Sequence, residues 1–476
     1  MDAERVETGV KGLDYLIDGG FPRNSLIVLA GNPGTGKTVF SSRFLYHGAT
    51  KCGENGVYVS FAENREVFYR DMQGFGFDFE KLEREGSFLF LDMLTVREGG
   101  VSTVLNMMID AVEEINAKRL IIDSYSALAQ AFKEPIDARI ISHVIMSKLV
   151  RRIGCTTILI EEIPIGSNRI GMGIEEFVAD GVLKLNTAIL DDRLLRSIEI
   201  LKLRGTMLKQ RKIIFTLHGG FKAFPPFPYS RLEPIKNLRR FQPISDQLDK
   251  CSTGSESLDE ALGGGIPKGS IMLLEVDEKA SSIQYGILVF SIVANFLAQG
   301  RRVVMVPSHG IDHLMIKKCF SICGFTEEEL NRQLMFLVPY EASENLPKTA
   351  TLRINDESLE KLLGVIEQVA AETSQPPLLE ISVDTLRTLY GEKMCENLLN
   401  LIATRVRRSG GVAVIVVKAG YRNLAIRLSP VAETYLRLTN VHGCPLLYGI
   451  TPRTSLYAVE LDLSKGYPLP KLTPII

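Results

Sequence analysis

Eight residues constrain this chain more than any others: Gly31-Asn32-Pro33-Gly34-Thr35-Gly36-Lys37-Thr38. They fit G-x-x-x-x-G-K-[ST], the phosphate-binding loop. Residues 26–30 (LIVLA) form a short apolar run that reads as a buried strand, and residues 39–45 read as the opening of a helix. Glycines let the backbone turn so that successive N–H groups point at an anion. The helix N-terminus adds partial positive charge. Lys37 is placed to neutralise β- and γ-phosphates and Thr38 to hold Mg²⁺. The whole run from Gly31 to Thr38 is the candidate nucleotide site.

With 476 residues, two domains are expected. The chain is 45% hydrophobic and 23% charged, which is ordinary globular usage, and its net charge of −1 gives no overall attraction to nucleic acid or an anionic membrane. The first ten residues lack a cationic stretch followed by an apolar run, so no secretory signal is expected. No run of 18 uncharged apolar residues is present, so no membrane span is expected either. The seven cysteines are scattered and odd in number, which reads as reduced thiols in a cytoplasmic protein.

The stretch that leads into the loop returns later. Thr8, Gly9, Leu13, Asp14, Gly19, Gly20, Pro22 and Ser25 are matched by Thr253, Gly254, Leu258, Asp259, Gly264, Gly265, Pro267 and Ser270. The offset is 245 throughout, with eight identities in eighteen positions and no gap. A period this long means two copies of a domain, not a solenoid. Between the copies, the proline cluster 224–228 is followed by a basic stretch ending Arg239-Arg240, which reads as a linker. The expected organisation is a nucleotide-binding domain at 1–223, a linker at 224–245 and a degenerate copy at 246–476.

The second copy loses the chemistry. At the same offset Gly31 becomes Val276, Gly36 becomes Ser281, Lys37 becomes Ser282 and Thr38 becomes Ile283. Glu275, Asp277 and Glu278 stand where phosphate oxygens would lie, so the sign of the site is reversed. No other glycine-lysine-serine or glycine-lysine-threonine triplet occurs between 250 and 476.

After the loop the first domain alternates strand and helix patterns. Residues 57–61 read as a strand, and residues 119–124 as an apolar strand ending in Asp123, 85 residues beyond Thr38. A carboxylate there would hold Mg²⁺ opposite the loop. Residues 158–162 form another strand, ending in Glu161-Glu162 at the same edge. This order implies a mostly parallel sheet flanked by helices, with ligands at the carboxyl ends of the strands. In the run 199–206 (EILKLRGT), period two puts Lys202 and Arg204 on one face and Leu201 and Leu203 on the other. Such a pair suits a phosphate, or simply a solvated strand face.

Residues 8–220 resemble a KaiC domain, a branch of the RecA-type ATPases. The resemblance rests on the Thr8-to-Pro22 stretch, the loop, residues 120–124, the run 173–180 (GIEEFVAD) and the run 199–206. Residues 253–440 resemble the same domain more weakly, through Val383-Asp384-Thr385 and the run 405–410. The resemblance implies two tandem RecA-like α/β P-loop NTPase domains. It also implies ATP and Mg²⁺ as ligands and ATP sites between neighbours in a ring, usually hexameric. Lys202 and Arg204 would reach across to the neighbour's γ-phosphate. Glu63 would be the catalytic carboxylate beside Lys37. KaiC-like proteins carry adjacent glutamates after the second strand, the first being the usual water-activating base. Here the pair reads Ala62-Glu63, so hydrolysis is expected to be slow.

Two further signals are set aside. His309, His313, Cys319 and Cys323 have a spacing unlike the usual zinc arrangements. The basic clusters at 151–152, 209–212 and 405–408 favour a solvated face or ring contact over a nucleic-acid groove. The expected protein is a cytoplasmic ATPase that binds Mg·ATP in its first domain, assembles into a ring and signals to a regulatory protein partner. The alternatives are a DNA-dependent ATPase of the RecA or helicase kind and a binding-only assembly switch.

Overall fold

The computed structural model describes residues 4–94, 101–130, 145–167, 178–227, 239–339, 351–354 and 375–476, with the single positions 170, 364 and 368. Residues 173–177 of the run compared above and 228–238 of the expected linker lie outside the described residues. The chain divides into two compact units. The first runs to Pro226 and takes in Ile475–Ile476; the second is Phe227–Pro474.

The first unit is built on a nine-stranded sheet. In chain order its strands are β1 (Leu26–Gly31), β2 (Gly56–Ser60), β3 (Phe88–Asp92), β4 (Arg119–Asp123), β5 (Thr156–Glu162), β6 (Gly181–Leu190), β7 (Arg193–Leu203), β8 (Lys212–Thr216) and β9 (Lys222–Phe224). They lie side by side as β9-β8-β7-β6-β1-β5-β4-β2-β3. From β6 to β3 every pairing is parallel; β6 to β9 form an antiparallel extension. Both faces are covered, which is why the central strands are buried along nearly their whole length and apolar through their middles. Ile27, Leu29, Tyr58, Ile121 and Ile158 pack on one face with Phe40 and Phe44 of helix α1 (Lys37–His47). Leu26, Val28, Ala30, Val57, Leu120 and Ile122 pack on the other.

The second unit repeats the plan with ten strands. These are β10 (Ser270–Val276), β11 (Val303–Val306), β12 (Leu334–Pro339), β13 (Thr351–Ile354), β14 (Leu378–Ser382), β15 (Val412–Lys418), β16 (Thr434–Val441), β17 (Cys444–Thr451), β18 (Tyr457–Asp462) and β19 (Leu469–Pro474). Their order is β13-β12-β11-β14-β15-β10-β16-β17-β18-β19, parallel from β13 to β16 and antiparallel beyond. The fold is thus two tandem α/β units with mostly parallel sheets.

The repeated lead-in has a local physical cause. Arg5 and Val6 pair with Pro22 and Phe21, and Lys250 and Cys251 pair with Pro267 and Ile266, in the same register. The Thr8 hydroxyl and amide donate to Asp14 Oδ1 at 2.6 and 2.9 Å; those of Thr253 donate to Asp259 Oδ1, both at 2.7 Å. Gly20 and Gly265 have φ of 140° and 118°, and a Cβ there would lie 2.1 and 2.3 Å from the carbonyl oxygens of Val6 and Cys251. The identities are therefore those of a turn that only these residues close.

Composition alone puts the linker at 224–245, but its second half is anchored. Phe241 is buried and its amide donates to the Cys323 carbonyl at 2.9 Å, and the Ile244 amide donates to Asn295 Oδ1 at 2.8 Å. Phe224 closes β9 as a buried residue.

Candidate active site

The loop leaves β1 at Gly31 and enters α1 at Lys37. Gly34 and Gly36 adopt left-handed backbone, φ 76° and 99°, and Gly36 is the helix N-cap. Thr35 donates its hydroxyl back to the Asn32 carbonyl at 2.8 Å. The Asn32 side-chain amide donates to the Ile163 carbonyl at 2.9 Å, which ties the loop to the end of β5. A Cβ on Gly31 would stand 2.6 Å from Thr35 Oγ1, so the loop is tight at its root.

Lys37 is buried and its ammonium is fully engaged within the chain. It donates to the carbonyls of Gly31 and Asn32, each at 3.0 Å, and pairs with Glu162 Oε1 at 3.0 Å. Glu162 ends β5, which lies beside β1 with Gly31 opposite Glu162. The lysine is thus held by its own loop and by a half-exposed carboxylate, and a phosphate would take the place of that carboxylate.

Thr38 donates its hydroxyl to Asp123 Oδ2 at 3.1 Å. Asp123 ends β4, next to β5 and β2. It is buried, and burial pushes its carboxyl above the usual range while hydrogen bonds from Tyr58 and Thr38 oppose the shift. The Tyr58 hydroxyl donates to the same Oδ2. Hard oxygen donors from Thr38 and Asp123 on facing elements suit a magnesium ion, which takes few protein ligands and keeps its waters.

Glu63 lies just past the end of β2. Ser60 Oγ donates to the Glu63 carbonyl at 2.6 Å and accepts from the Glu63 amide at 3.1 Å, and the Phe61 amide donates to the Asp123 carbonyl at 2.6 Å. This turn brings the carboxyl within the field of Asp123. Burial first, then the charges of Asp123 and Asp71, push Glu63 up to about 7. Ala62 beside it is exposed.

The structure corrects one expectation about Lys202 and Arg204. The β6–β7 register shifts between Val182 and Leu183: Lys202 faces Val182 and Ile200 faces Leu183, leaving Leu201 as the extra residue of a bulge. Leu201 is therefore 42% exposed while Leu203 is buried, and the two leucines do not share a face. Arg204 sits far from its own loop. Its amide donates to the Asp180 carbonyl at 2.8 Å and its guanidinium is 3.6 Å from Asp180 Oδ1, while Asp180 Oδ2 accepts from the Leu26 amide at 3.1 Å. Leu26 opens β1 and Gly31 closes it, so about 17 Å of strand separates Arg204 from the loop. Within one chain the loop, Thr38, Asp123 and Glu63 come together; Arg204 does not join them.

The corresponding edge of the second unit is built differently. Helix α2 (Ser282–Ala298) begins one residue after Ser281, as α1 begins after Gly36. Ser281 is extended and closes the helix with a reciprocal capping box to Gln284. None of residues 277–281, all described, has left-handed backbone. The cap takes up the Gln284 amide of the first helical turn and the Ser281 amide before it, two of the N–H groups at the end where the first unit presents its loop. Glu275 accepts from Tyr435 and from Arg437 Nη2 at 2.9 Å, and Asp277 accepts from Thr439 at 3.0 Å. Strand register aligns Asp123 with Ser382, not with Asp384, which lies in the first turn of the helix Val383–Ser409. The same register aligns Glu162 with Lys418, whose ammonium lies 3.0 Å from Asp384 Oδ2. At this strand end the first unit places a carboxylate, Glu162, that meets a lysine at the start of α1, and the second unit places a lysine, Lys418, that meets a carboxylate in a helix.

Sequence reasoning missed Tyr58 and the Lys37–Glu162 pair. A phenol in an otherwise apolar strand, with a polar tip that needs a partner when buried, was the available signal. The Lys37–Glu162 pair depends on which strands are neighbours, and no local pattern carries that.

Residues 6–221 match the family model described as KaiC ATPase. A UPF0273 protein of Pyrococcus horikoshii is 32% identical over 236 residues, covering 46% of this chain and 94% of its own length. The chain belongs to the KaiC ATPase family. Circadian clock protein KaiC3 of a Synechocystis strain is 32% identical over 280 residues, covering 57% of this chain and 53% of the relative. Circadian clock oscillator protein KaiC of Synechococcus elongatus is 31% identical over 345 residues, covering 69% and 62%. The matches thus span between about half and two thirds of these clock relatives' own length. The crystal structure of a KaiC-like protein from P. horikoshii matches 47% of this chain and all of its own, at 37% identity and TM-score 0.43.

Proposed function

We propose that the first unit of this KaiC-family chain binds Mg·ATP and hydrolyses it slowly, and that the second unit holds no nucleotide. The observation that supports this most is the meeting of Lys37, Thr38, Asp123 and Glu63 at one edge of one sheet, against a capped helix at the matching edge of the other. The loop amides and Lys37 would hold the phosphates. Thr38 and Asp123 would hold Mg²⁺, which neutralises charge on the β- and γ-phosphates when bound. Glu63, titrating near neutrality, would take the proton of the attacking water. Lys202 and Arg204 would act on a neighbouring chain's nucleotide in a ring, usually hexameric in relatives of this kind, and Arg204 lies too far from its own loop to serve it.

In this reading occupancy of the site, more than rapid turnover, is the output. A regulatory protein partner in the cytoplasm would read it, with the second unit as scaffold or docking surface. Among the described residues no helix is long and apolar enough to cross a membrane. Equilibrium binding of a labelled ATP analogue tests the core of the reading. One site per chain, lost in Lys37→Ala, is expected; two sites of similar affinity would overturn it. A rate measured with and without single-stranded DNA separates it from a DNA-dependent ATPase, which would be stimulated.

A further inference from the structure

Away from the nucleotide loop, three potential metal ligands converge at the far end of helix α1. His47 is its last residue, Cys52 ends the helical segment Gly48–Cys52 that follows, and Glu7 comes from the lead-in before the short helix Lys11–Leu16. Glu7 Oε2 and His47 Nε2 are 2.8 Å apart, and a carboxylate oxygen of Glu7, a ring nitrogen of His47 and Cys52 Sγ lie within 4.8 Å of one another. Bond lengths of 2.0–2.3 Å around a tetrahedral ion put ligand atoms about 3.3–3.8 Å apart, so small side-chain adjustments would bring the three onto one centre.

The cluster is held in place from several sides. The His47 ring is seated against Gly9, whose φ is 78°. A Cβ there would lie 2.5 Å from His47 Cβ and 2.7 Å from Cγ, so the ring keeps its position only over a glycine. The buried Arg119 ties the ligand-bearing segments together. Its Nη1 donates to the carbonyls of Glu7 at 2.8 Å and Phe44 at 2.7 Å, and its Nε and Nη2 both meet Glu54 Oε2 at 2.7 Å. Glu54 balances that guanidinium, and its other oxygen meets Arg23 at 2.9 Å. The helical backbone runs on from His47 through Cys52 and ends at Gly53, so both residues lie toward the carboxyl end of one helical stretch, where the dipole favours a cation.

We propose that Glu7, His47 and Cys52 form a zinc site that staples the lead-in segment to the carboxyl end of the loop-bearing helix. One thiolate, one imidazole and one carboxylate match the borderline-soft Zn²⁺ and not the hard Mg²⁺ of the nucleotide site. Three protein ligands leave the fourth position to water.

Cobalt is the probe, because a cysteine thiolate bound to Co²⁺ gives a near-ultraviolet charge-transfer band. Nucleotide-free full-length protein is titrated with Co²⁺, and Zn²⁺ affinity is then read by displacement and chelator competition. One Co²⁺ per chain with a charge-transfer band is expected. The band should vanish in Cys52→Ser and persist in Lys37→Ala, which separates this site from the nucleotide loop. Glu7→Gln should weaken Zn²⁺ binding about tenfold or more. Zinc should raise the unfolding midpoint of the wild type but not of Cys52→Ser. Both Glu7 and Cys52 are exposed, so these variants keep the fold. No band at micromolar Co²⁺, or a band that survives Cys52→Ser, overturns the proposal and leaves Glu7–His47 as a plain hydrogen-bonded contact.

Discussion

Tyr58 donates its phenolic hydrogen to Asp123 Oδ2, the same oxygen that the Thr38 hydroxyl reaches at 3.1 Å. The phenol is fully buried and packs against Phe68 and Phe90, with ring centroids 4.4 and 5.7 Å away. Phe68 lies in the helix Arg65–Gly74, which begins two residues after Glu63. One hydroxyl therefore links the candidate magnesium ligand to the helix that follows the candidate base.

Removing that hydroxyl should weaken magnesium binding. The Tyr58 hydrogen bond favours ionised Asp123 against the burial that opposes it. In Tyr58→Phe the ring still fills the aromatic cluster, but the carboxylate loses a donor worth about 1.5–3 kcal/mol. The Mg²⁺ concentration for half-maximal ATP binding at pH 7 should rise about tenfold, and the defect should shrink as pH is raised. An unchanged Mg²⁺ dependence would show that Tyr58 only packs.

In the proposed reading Glu162 would compete with the nucleotide for Lys37. The pair is 3.0 Å long, but Glu162 is 41% exposed, which keeps its contribution to about 1 kcal/mol or less. Glu162→Gln should therefore tighten ATP about two- to fivefold with the hydrolysis rate preserved, read by equilibrium binding and phosphate release. A large fall in rate would instead assign Glu162 the role of base.

The pH dependence of hydrolysis should follow Glu63. Its carboxyl, raised to about 7, is mostly protonated below that pH and acts as a base only above it. The rate at saturating Mg·ATP should climb through the region near pH 7 and level off above. In Glu63→Gln it should be low and flat. The sign for stability runs the other way. The folded pKa lies above the unfolded value of 4.5, so this group's contribution is present at low pH and is lost as pH rises from about 4.5 to about 7. Ala62→Glu should raise the rate by ~10²-fold or more with little change in ATP affinity. A wild type that turns over briskly, with Glu63→Gln at the same rate, would place the base elsewhere.

Completion of the site by a neighbour is testable by mixing. Arg204 lies at the opening end of β1, beside Asp180, and the loop at its closing end. A Lys37→Ala chain keeps Lys202 and Arg204 but binds no nucleotide; a Lys202→Ala/Arg204→Ala chain does the reverse. Mixed assemblies should recover activity that neither variant shows alone, with exchange verified by pull-down of a tagged partner. Exchange without recovery would mean that these residues do not act across chains. ATP should also stabilise the assembly, since a ligand favours the state that binds it.

What the sequence determined by itself was everything encoded over short distances. The strand–loop–helix frame from Leu26 to His47 needs glycines at positive φ and one apolar strand, all within about twenty residues. The two lead-ins were visible as a repeat because Thr8 with Asp14, and Thr253 with Asp259, close turns between residues only six positions apart. The mostly parallel α/β architecture followed from alternating periods. The tertiary structure decided what depends on strand order. Lys37 meets Glu162 only because β5 lies beside β1, and Tyr58 meets Asp123 only because β2 lies beside β4. Leu201 turned outward because β6 pairs with β7 through a bulge, which strict alternation could not anticipate. Lys418 reached Asp384 across more than thirty residues of chain. Period and composition act along the backbone, whereas these contacts act across the sheet, where register alone sets which side chains share an edge.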